Sequence, residues 1–169
     1  MFKSIGSDKD LVEEKRVLEF LEKNSRICHE LVLNELNFQD IHKYKHKTDL
    51  AVKELGLDDD LINQLTEEYV KQIMKSKTFF LKYLNKLKEE KAHDEKLDYT
   101  ELRELAHKNL GVARNLRIED AKILLYELMT KDDIEHLDTC LKALVACAVK
   151  LKPKLAYNTS KLIDGGSKE

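Results

Sequence analysis

Apolar residues recur every three or four positions along most of this chain, which is the spacing of amphipathic helices. Leu61, Leu65, Tyr69 and Ile73 form one such stripe. The same spacing predicts helices at 9–36, 48–55, 61–87, 99–114, 119–130 and 134–152, and Pro153 either disrupts the last of these or starts a further helix. One proline and five glycines in 169 residues agree with an all-α protein.

Polar residues and glycines set the expected ends of these helices. Ser7 and Asp8 are candidate caps for the first helix. Gly56 is expected to end the helix 48–55, and the aspartates 58–60 to open the next one. Asp98 and Glu101 have the spacing of a capping box, and Asp132-Asp133 can cap the helix that follows them. The expected irregular segments are a candidate break at 24–25, a connector at 37–47, a kink or short turn near 74–77, a charged loop at 88–96 and a frayed tail at 164–169.

Short connections between the helices from residue 48 onward predict an antiparallel up-and-down helical bundle. We therefore divide the chain into an N-terminal helical extension at 1–47, the bundle at 48–152, and a C-terminal helix with its tail at 153–169. Two interpretations of the extension stay open. Its helix is either a dimerisation or docking element, or an extra helix that covers the bundle.

Charge and cysteine content narrow the class of protein. Thirty basic and 32 acidic residues give a formal net charge of −2, so we expect no broad attraction to nucleic acid or to an anionic membrane. The longest apolar run, 143–149, is too short to span a bilayer. Cys28, Cys140 and Cys147 are odd in number and form no C-x-x-C pair, which indicates reduced thiols. We expect a soluble, cytoplasmic protein.

A histidine and a glycine stand out in the helix 99–114. A helix turns about 100° per residue, which places His107 and Gly111 on the face opposite the stripe that contains Leu102 and Ala106. Glycine inside a helix costs about 1 kcal/mol relative to alanine. A glycine one turn beyond an exposed histidine leaves room for a second macromolecule to bring a reactive group to the imidazole. The alternative is a surface histidine near a glycine of no consequence.

The segment LRELAHKNLGVARNLRIEDAKILLYEL, 102–128, resembles the signature of histidine-containing phosphotransfer (HPt) domains. Six positions match the pattern of that family: Ala106, His107, Gly111, Ala113, Asn115 and Leu116. The segment 50–72, with a short helix, a glycine and an acidic restart, is also similar to the opening of such domains. The resemblance covers about 48–150, and it implies that the bundle at 48–152 is an antiparallel four-helix bundle.

The resemblance implies a phosphocarrier rather than an autonomous enzyme. It implies that His107 relays a phosphoryl group between receiver-domain aspartates in a two-component phosphorelay. The implied partner is the receiver domain of a response regulator or of a hybrid histidine kinase, and Mg²⁺ is expected on that receiver. The sequence has no G-x-x-x-x-G-K-[ST] loop for ATP, so we expect no autophosphorylation and no cofactor bound by this chain.

The chain departs from the family pattern at two positions. The family has a lysine three residues after the histidine, where this chain has Leu110, and a glycine ten residues after it, where this chain has Arg117. Arg103 and Arg114 flank His107, and either guanidinium suits phosphate in place of the lysine. The alternative function is a degenerate HPt-like adaptor that binds a receiver or another partner without phosphate transfer, and Leu110 favours it.

The other histidines give weaker signals. His42 and His46 are four residues apart, a spacing at which two histidines on a helix can share a metal ion. Cys28 and His29 lie upstream, but no third and fourth ligand follow at a recognisable spacing, so we predict no metal site. His29, His93 and His136 are expected at the surface.

Overall fold

A computed structural model describes residues 3–36, 38 and 48–167. These residues are helical apart from short connections, and no strand is present among them, which confirms the all-α class. The helices are α1 (Lys3–His29), α2 (Thr48–Leu55), α3 (Asp59–Ala92), α4 (Thr100–Asn115), α5 (Glu119–Thr130), α6 (Ile134–Leu151) and α7 (Pro153–Ser167), and a π-helical segment (Glu30–Glu35) follows α1. Within the described ranges, no helix is both long and apolar enough to cross a membrane.

Several helix ends lie where the sequence analysis predicted them. Gly56 ends α2 in the left-handed conformation, with φ of 69°, which glycine adopts without strain. Asp58 opens α3, because its carboxylate accepts a hydrogen bond of 2.8 Å from the amide of Leu61. Asp133 caps α6 in the same way, through the amide of Glu135 at 3.1 Å. Pro153 begins a separate helix, and this confirms one of its two predicted roles.

The N-terminal helix differs from its prediction. It begins at Lys3 rather than near residue 9, so Ser7 and Asp8 are not its cap, and it passes Asn24 and Ser25 without a break. The side chain of Asn24 donates to the carbonyl of Phe20 at 2.8 Å and so remains within its own helix. The connector 37–47, with His42 and His46, lies outside the described residues except for Phe38.

The predicted interruptions of α3 were also wrong. The helix runs unbroken for 34 residues through 74–77, because Met74 and Ser76 are both buried against neighbouring helices. It continues into the predicted loop 88–96 as far as Ala92, and the connection to α4 then begins at His93. The backbone of α7 is helical through Ser167, and α7 thus includes part of the segment 164–169.

Four helices contact one another in a closed ring. α3 contacts α4 and α6, and α5 contacts the same two helices from the other side. α1 and α7 contact each other and α6, and α7 also contacts α3. Cys28 and Val32 near the N-terminus, and Ala156 in α7, belong to the same hydrophobic core as the ring. The N-terminal and C-terminal regions therefore share one core with residues 48–152.

A buried polar pair links α3 and α4. Asn109 of α4 is fully buried, and its amide nitrogen lies 3.4 Å from the hydroxyl of Ser76 in α3 and donates to the carbonyl of Leu105 at 2.9 Å. The amide oxygen of Asn109 has no hydrogen-bond partner among the described residues. Farther along, Lys86 of α3 pairs with Glu101 of α4 at 3.3 Å. These contacts connect α3 and α4 at two points along their length.

Candidate functional site

His107 lies in the middle of α4 and is exposed, as the sequence predicted. The opposite face of the helix is buried through Leu102, Ala106 and Ala113. The buried stripe extends farther toward α5 than expected, because Leu110 is only 2% exposed while Leu105 is partly exposed. The imidazole therefore projects from a helix that is fixed firmly on its other side.

No hydrogen bond or ion pair holds the side chain of His107 among the described residues. His136 is different, because its Nε2 lies 3.0 Å from a carboxylate oxygen of Glu127 and 3.6 Å from the sulfur of Cys140. His93 is exposed, but it sits at the end of α3, where its backbone amide donates to the carbonyl of Glu89. His107 is thus an available imidazole in the middle of a helix.

Gly111 lies one turn beyond His107 and faces open space. A Cβ built on Gly111 would meet no atom within 4 Å, and the backbone there is helical. Neither close packing nor an unusual φ therefore accounts for this glycine. What the glycine does provide is a flat helix surface next to the imidazole.

Arg103, one turn before His107, is engaged in packing. Its guanidinium donates to the carbonyls of Met129 and Lys131 and to the carboxylate of Asp132 at 2.6 Å. It also lies over the ring of Tyr99, 4.7 Å from the ring centre. These contacts satisfy carbonyl groups at the C-terminal end of α5, a role that cations often fill. The structure directs Arg103 toward the connection between α5 and α6.

Arg114, two turns after His107, is in a different state. It is exposed, and its side chain makes no hydrogen bond or ion pair with another residue of the described ranges. It lines a groove of about 360 Å³ between α4 and α5; the other lining residues are Phe38, Leu110, Glu119, Lys122, Ile123, Tyr126 and Glu127. Lys122 is paired with Glu119 at 3.0 Å, so its charge is already balanced. Because no described residue occupies the guanidinium of Arg114, its donors can bind an anion.

The groove is a feature that the sequence did not predict. Its lining includes Leu110 and Ile123, the ring of Tyr126, which is 52% exposed, and Phe38 from the connector. These residues come from three separate segments and form no motif. The sequence therefore offered no local signal for the groove.

The two departures from the family pattern now have structural contexts. Leu110 lies at the buried edge of α4, where its side chain forms part of the core. Arg117 has φ of 60°, the left-handed conformation that glycine favours. The amide of Ile118 donates to the carbonyl of Ala113, and that of Arg117 to Arg114, which together form a Schellman motif. The backbone at 117 thus has the conformation of a helix-ending glycine, although the residue is arginine.

Arg117 also holds the end of α4 through its side chain. Its Nε lies 2.5 Å from a carboxylate oxygen of Glu54 in α2, and its Nη1 donates to the carbonyl of Arg114 at 2.7 Å. These contacts help to hold an arginine in a conformation that disfavours side chains with a Cβ.

Neither the comparisons with known proteins nor the arrangement of possible metal ligands adds an assignment. No family model, curated protein sequence or solved structure matches this chain. In the part of the chain that the structure describes, no cluster of three or more His, Cys, Asp or Glu side chains is arranged to hold a metal ion. Any functional assignment therefore rests on the residues and their geometry.

Proposed function

We propose that this chain is a histidine phosphotransfer protein, and that His107 relays a phosphoryl group between receiver-domain aspartates. The observation that carries the proposal is the exposed imidazole of His107, without a partner among the described residues, beside the open surface at Gly111. A nucleophile that serves another macromolecule needs this access. Such a relay would operate in the cytoplasm, where the receivers of two-component systems lie.

We further propose that α3 to α6 form the antiparallel four-helix bundle typical of this family. Three pairs of residues support the arrangement. Two of them join the end of one helix to the start of the following helix, and the third joins the end of α6 to the start of α3. Lys86 of α3 meets Glu101 of α4, Glu127 of α5 meets His136 of α6, and Lys152, after α6, donates to Asn63 of α3 at 3.1 Å. The closed ring of helix contacts supports it as well.

The transfer needs only a nucleophile and a well-placed charge from this chain. A ring nitrogen of His107 attacks the phosphorus of an aspartyl phosphate, an N–P bond forms, and the acyl phosphate P–O bond breaks to release the carboxylate. In the onward step a second aspartate attacks the phosphorus, and the N–P bond breaks. Phosphoryl transfer depends mainly on positioning and charge stabilisation. The resemblance places Mg²⁺ on the receiver, so the metal need not bind to this chain.

Arg114 is the residue that we propose to stabilise the phosphoryl group from this chain. Its guanidinium is exposed and has no acidic partner among the described residues. Arg103 already donates to Met129, Lys131 and Asp132, so it has less capacity to bind a phosphate. Arginine has the planar, bidentate geometry that phosphate oxygens accept.

A second function, binding without phosphate transfer, is favoured by one observation. The position of the family lysine is taken by Leu110, which is buried in the core and offers no charge to a phosphate. An adaptor of this kind would use the same exposed surface around Gly111 and the groove beside Arg114 to bind a receiver.

Transfer of radioactive label separates the two functions. The chain is incubated with a receiver domain from the same organism that carries ³²P-aspartyl phosphate, and with ³²P-phosphoramidate as a small donor that needs no docking. We expect label on the chain that is stable to base and labile to acid, as an N–P bond is. His107→Gln should remove that label and leave receiver binding and unfolding close to wild type, because the residue is exposed.

His93→Gln is the matched control, since it removes another exposed histidine without touching α4. It should leave the label unchanged. Label that persists in His107→Gln identifies a different acceptor and overturns the assignment. A wild-type chain that binds the receiver but accepts no label from either donor supports the adaptor function instead.

A further inference from the structure

Two thiols from distant parts of the chain meet in the core. The sulfur atoms of Cys28 in α1 and Cys147 in α6 lie 3.4 Å apart, although the residues are 119 positions apart in sequence. All three cysteines of the chain are free, and all are buried. A disulfide bond has a sulfur–sulfur distance of about 2.05 Å, so a shift of little more than 1 Å would bring the two sulfurs to bonding distance.

The surroundings of the two thiols are unequal. A hydrogen bond between them lowers the pKa of Cys28 and raises that of Cys147, and the nearby charge of Lys150 also lowers the pKa of Cys28. Burial raises the pKa of Asp120, which shares a hydrogen bond with Cys147. A thiol of lowered pKa next to one that keeps its proton is the arrangement in which one sulfur attacks an oxidant and the other resolves the product.

We propose that Cys28 and Cys147 form a reversible disulfide that ties α1 to α6 when a peroxide reaches the core. The Cys28 thiolate attacks hydrogen peroxide, the O–O bond breaks, and a sulfenic acid and hydroxide are formed; the hydroxide takes up the proton that the Cys28 thiol lost on ionising, which gives water. The sulfur of Cys147 then attacks the sulfenic sulfur, its proton leaves with the departing oxygen, and a second water is released. Two thiols are oxidised and one peroxide is reduced, and a dithiol reductant reverses the step.

The position of the pair gives the bond a structural effect. Cys28 is next to the last residue of α1, and the π-helical segment and Phe38 follow it. The amide of Phe38 donates to the carbonyl of Val32 at 2.8 Å, and its side chain reaches the groove beside Arg114. A bond at Cys28 would therefore fix the segment that carries Phe38 to the groove. The inference does not depend on phosphate transfer.

Cys140 provides an internal control. It lies two turns before Cys147 on α6 and is also buried, but its nearest sulfur or nitrogen partner is Nε2 of His136, at 3.6 Å. Burial raises the pKa of Cys140 to about 12, so its thiol stays protonated. We expect it to take no part in the bond.

The test begins with the fully reduced wild-type chain and a small molar excess of hydrogen peroxide at neutral pH. Thiols are then counted in denaturant, and the alkylated protein is digested without reductant for mass spectrometry. We expect the thiol count to fall from three to one, with a cross-linked peptide pair that contains Cys28 and Cys147. The oxidised monomer should melt at a temperature higher by roughly 5–15 °C, because the bond closes a long loop.

The variants complete the test. Cys140→Ser should fall from two thiols to none and show the same cross-linked pair, whereas Cys28→Ser and Cys147→Ser should form no bond within the chain. The cross-linked peptides are identified in the wild-type chain. The test therefore remains valid even if a serine in the core prevents a variant from folding. Three intact thiols after peroxide, sulfinic acids without a disulfide, or a bond that includes Cys140 would each overturn the proposal.

Discussion

The two ends of α4 carry the same residue type in opposite states. At the N-terminal end, Arg103 is enclosed by Tyr99, Asp132 and the carbonyl groups at the end of α5. At the C-terminal end, Arg114 is exposed and makes no side-chain hydrogen bond or ion pair in the described part of the chain. Both were candidates for holding a phosphoryl group beside His107. Their number of donors is the same, and only the surroundings distinguish them.

This difference shows how an arginine can be assigned to structure or to ligand binding. A guanidinium whose donors already meet carbonyls and a carboxylate stabilises the fold, and moving it to a ligand would leave those acceptors without partners. A guanidinium with free donors at the edge of a groove loses little when it binds an anion. We therefore expect substitution of Arg103 to change the stability of the fold, and substitution of Arg114 to change the rate of phosphoryl transfer.

Substitution of the two arginines tests the comparison with the largest expected effect. Arg114→Ala should slow label transfer about tenfold, equivalent to about 1.4 kcal/mol on the barrier, and change the free energy of unfolding by less than about 0.5 kcal/mol. Arg103→Ala should reduce the free energy of unfolding by about 1–2 kcal/mol and leave the transfer rate of the folded protein near wild type. Initial rates of transfer and urea unfolding measure both quantities.

The reverse result would exchange the two roles. If Arg103→Ala slows transfer more than Arg114→Ala while both remain folded, the contacts of Arg103 must open in the complex with the receiver. Arg114→Lys is the conservative control, and it should recover part of the rate, because it keeps the charge but not the planar geometry.

Substitution of two glycines should have smaller effects on stability, one in α4 at Gly111 and one after α2 at Gly56. Gly111→Ala should raise the free energy of unfolding by a few tenths to about 1 kcal/mol, since the added methyl group meets only open space and helices favour alanine. It should not speed phosphorylation. Gly56→Ala should instead lower the free energy of unfolding by about 1 kcal/mol, because φ of 69° disfavours a Cβ. Urea unfolding of both variants is the measurement, and a loss above about 1 kcal/mol in Gly111→Ala would make Gly111 a packing residue.

The smallest expected effect is a pH dependence of stability that comes from Tyr99, at the N-terminal end of α4. Burial, with the charge of Asp132, raises the pKa of Tyr99, whose hydroxyl donates to the carbonyl of Asp132 at 2.6 Å. A raised pKa means that the folded state holds this proton more tightly than the unfolded chain does. The stability it contributes is present below the ordinary tyrosine pKa of about 10 and is lost as pH rises through the higher folded value.

Melting temperatures between pH 8 and 11 should reveal this loss. Tyr99→Phe should melt below wild type at pH 8, and the difference should shrink as pH rises, because only the wild type loses the contribution. Tyr126→Phe is the control, since its exposed hydroxyl makes no hydrogen bond with described residues. A constant difference across the range would show that the Tyr99 proton does not contribute.

The helix pattern and the exposed face of α4 could be predicted from local signals. Gly56, Asp58 and Asp133 act on atoms within a few residues of themselves, so the sequence identifies these helix ends correctly. His107 and Gly111 were placed correctly because helical phase needs no tertiary information.

Other features could not be predicted, because polar residues found their partners in other helices. The polar run near 74–77 suggested a break, but Ser76 meets Asn109 of α4 and the helix continues. The engagement of Arg103 depends on where the end of α5 lies, and the groove beside Arg114 draws on three segments. None of these pairings has a local signature in the sequence.

The buried contact between Asn109 and Ser76 has a consequence for the alignment of α4 along α3. Apolar stripes look alike when one helix slides past another by a turn, about 5.4 Å, so they do not by themselves choose one alignment. The amide of Asn109 favours one alignment, because a slide would remove its contact with the Ser76 hydroxyl and leave only its bond to Leu105 of the same helix. Asn109 thus favours one register between α3 and α4. The same contact favours one position for His107, which lies half a turn earlier on α4.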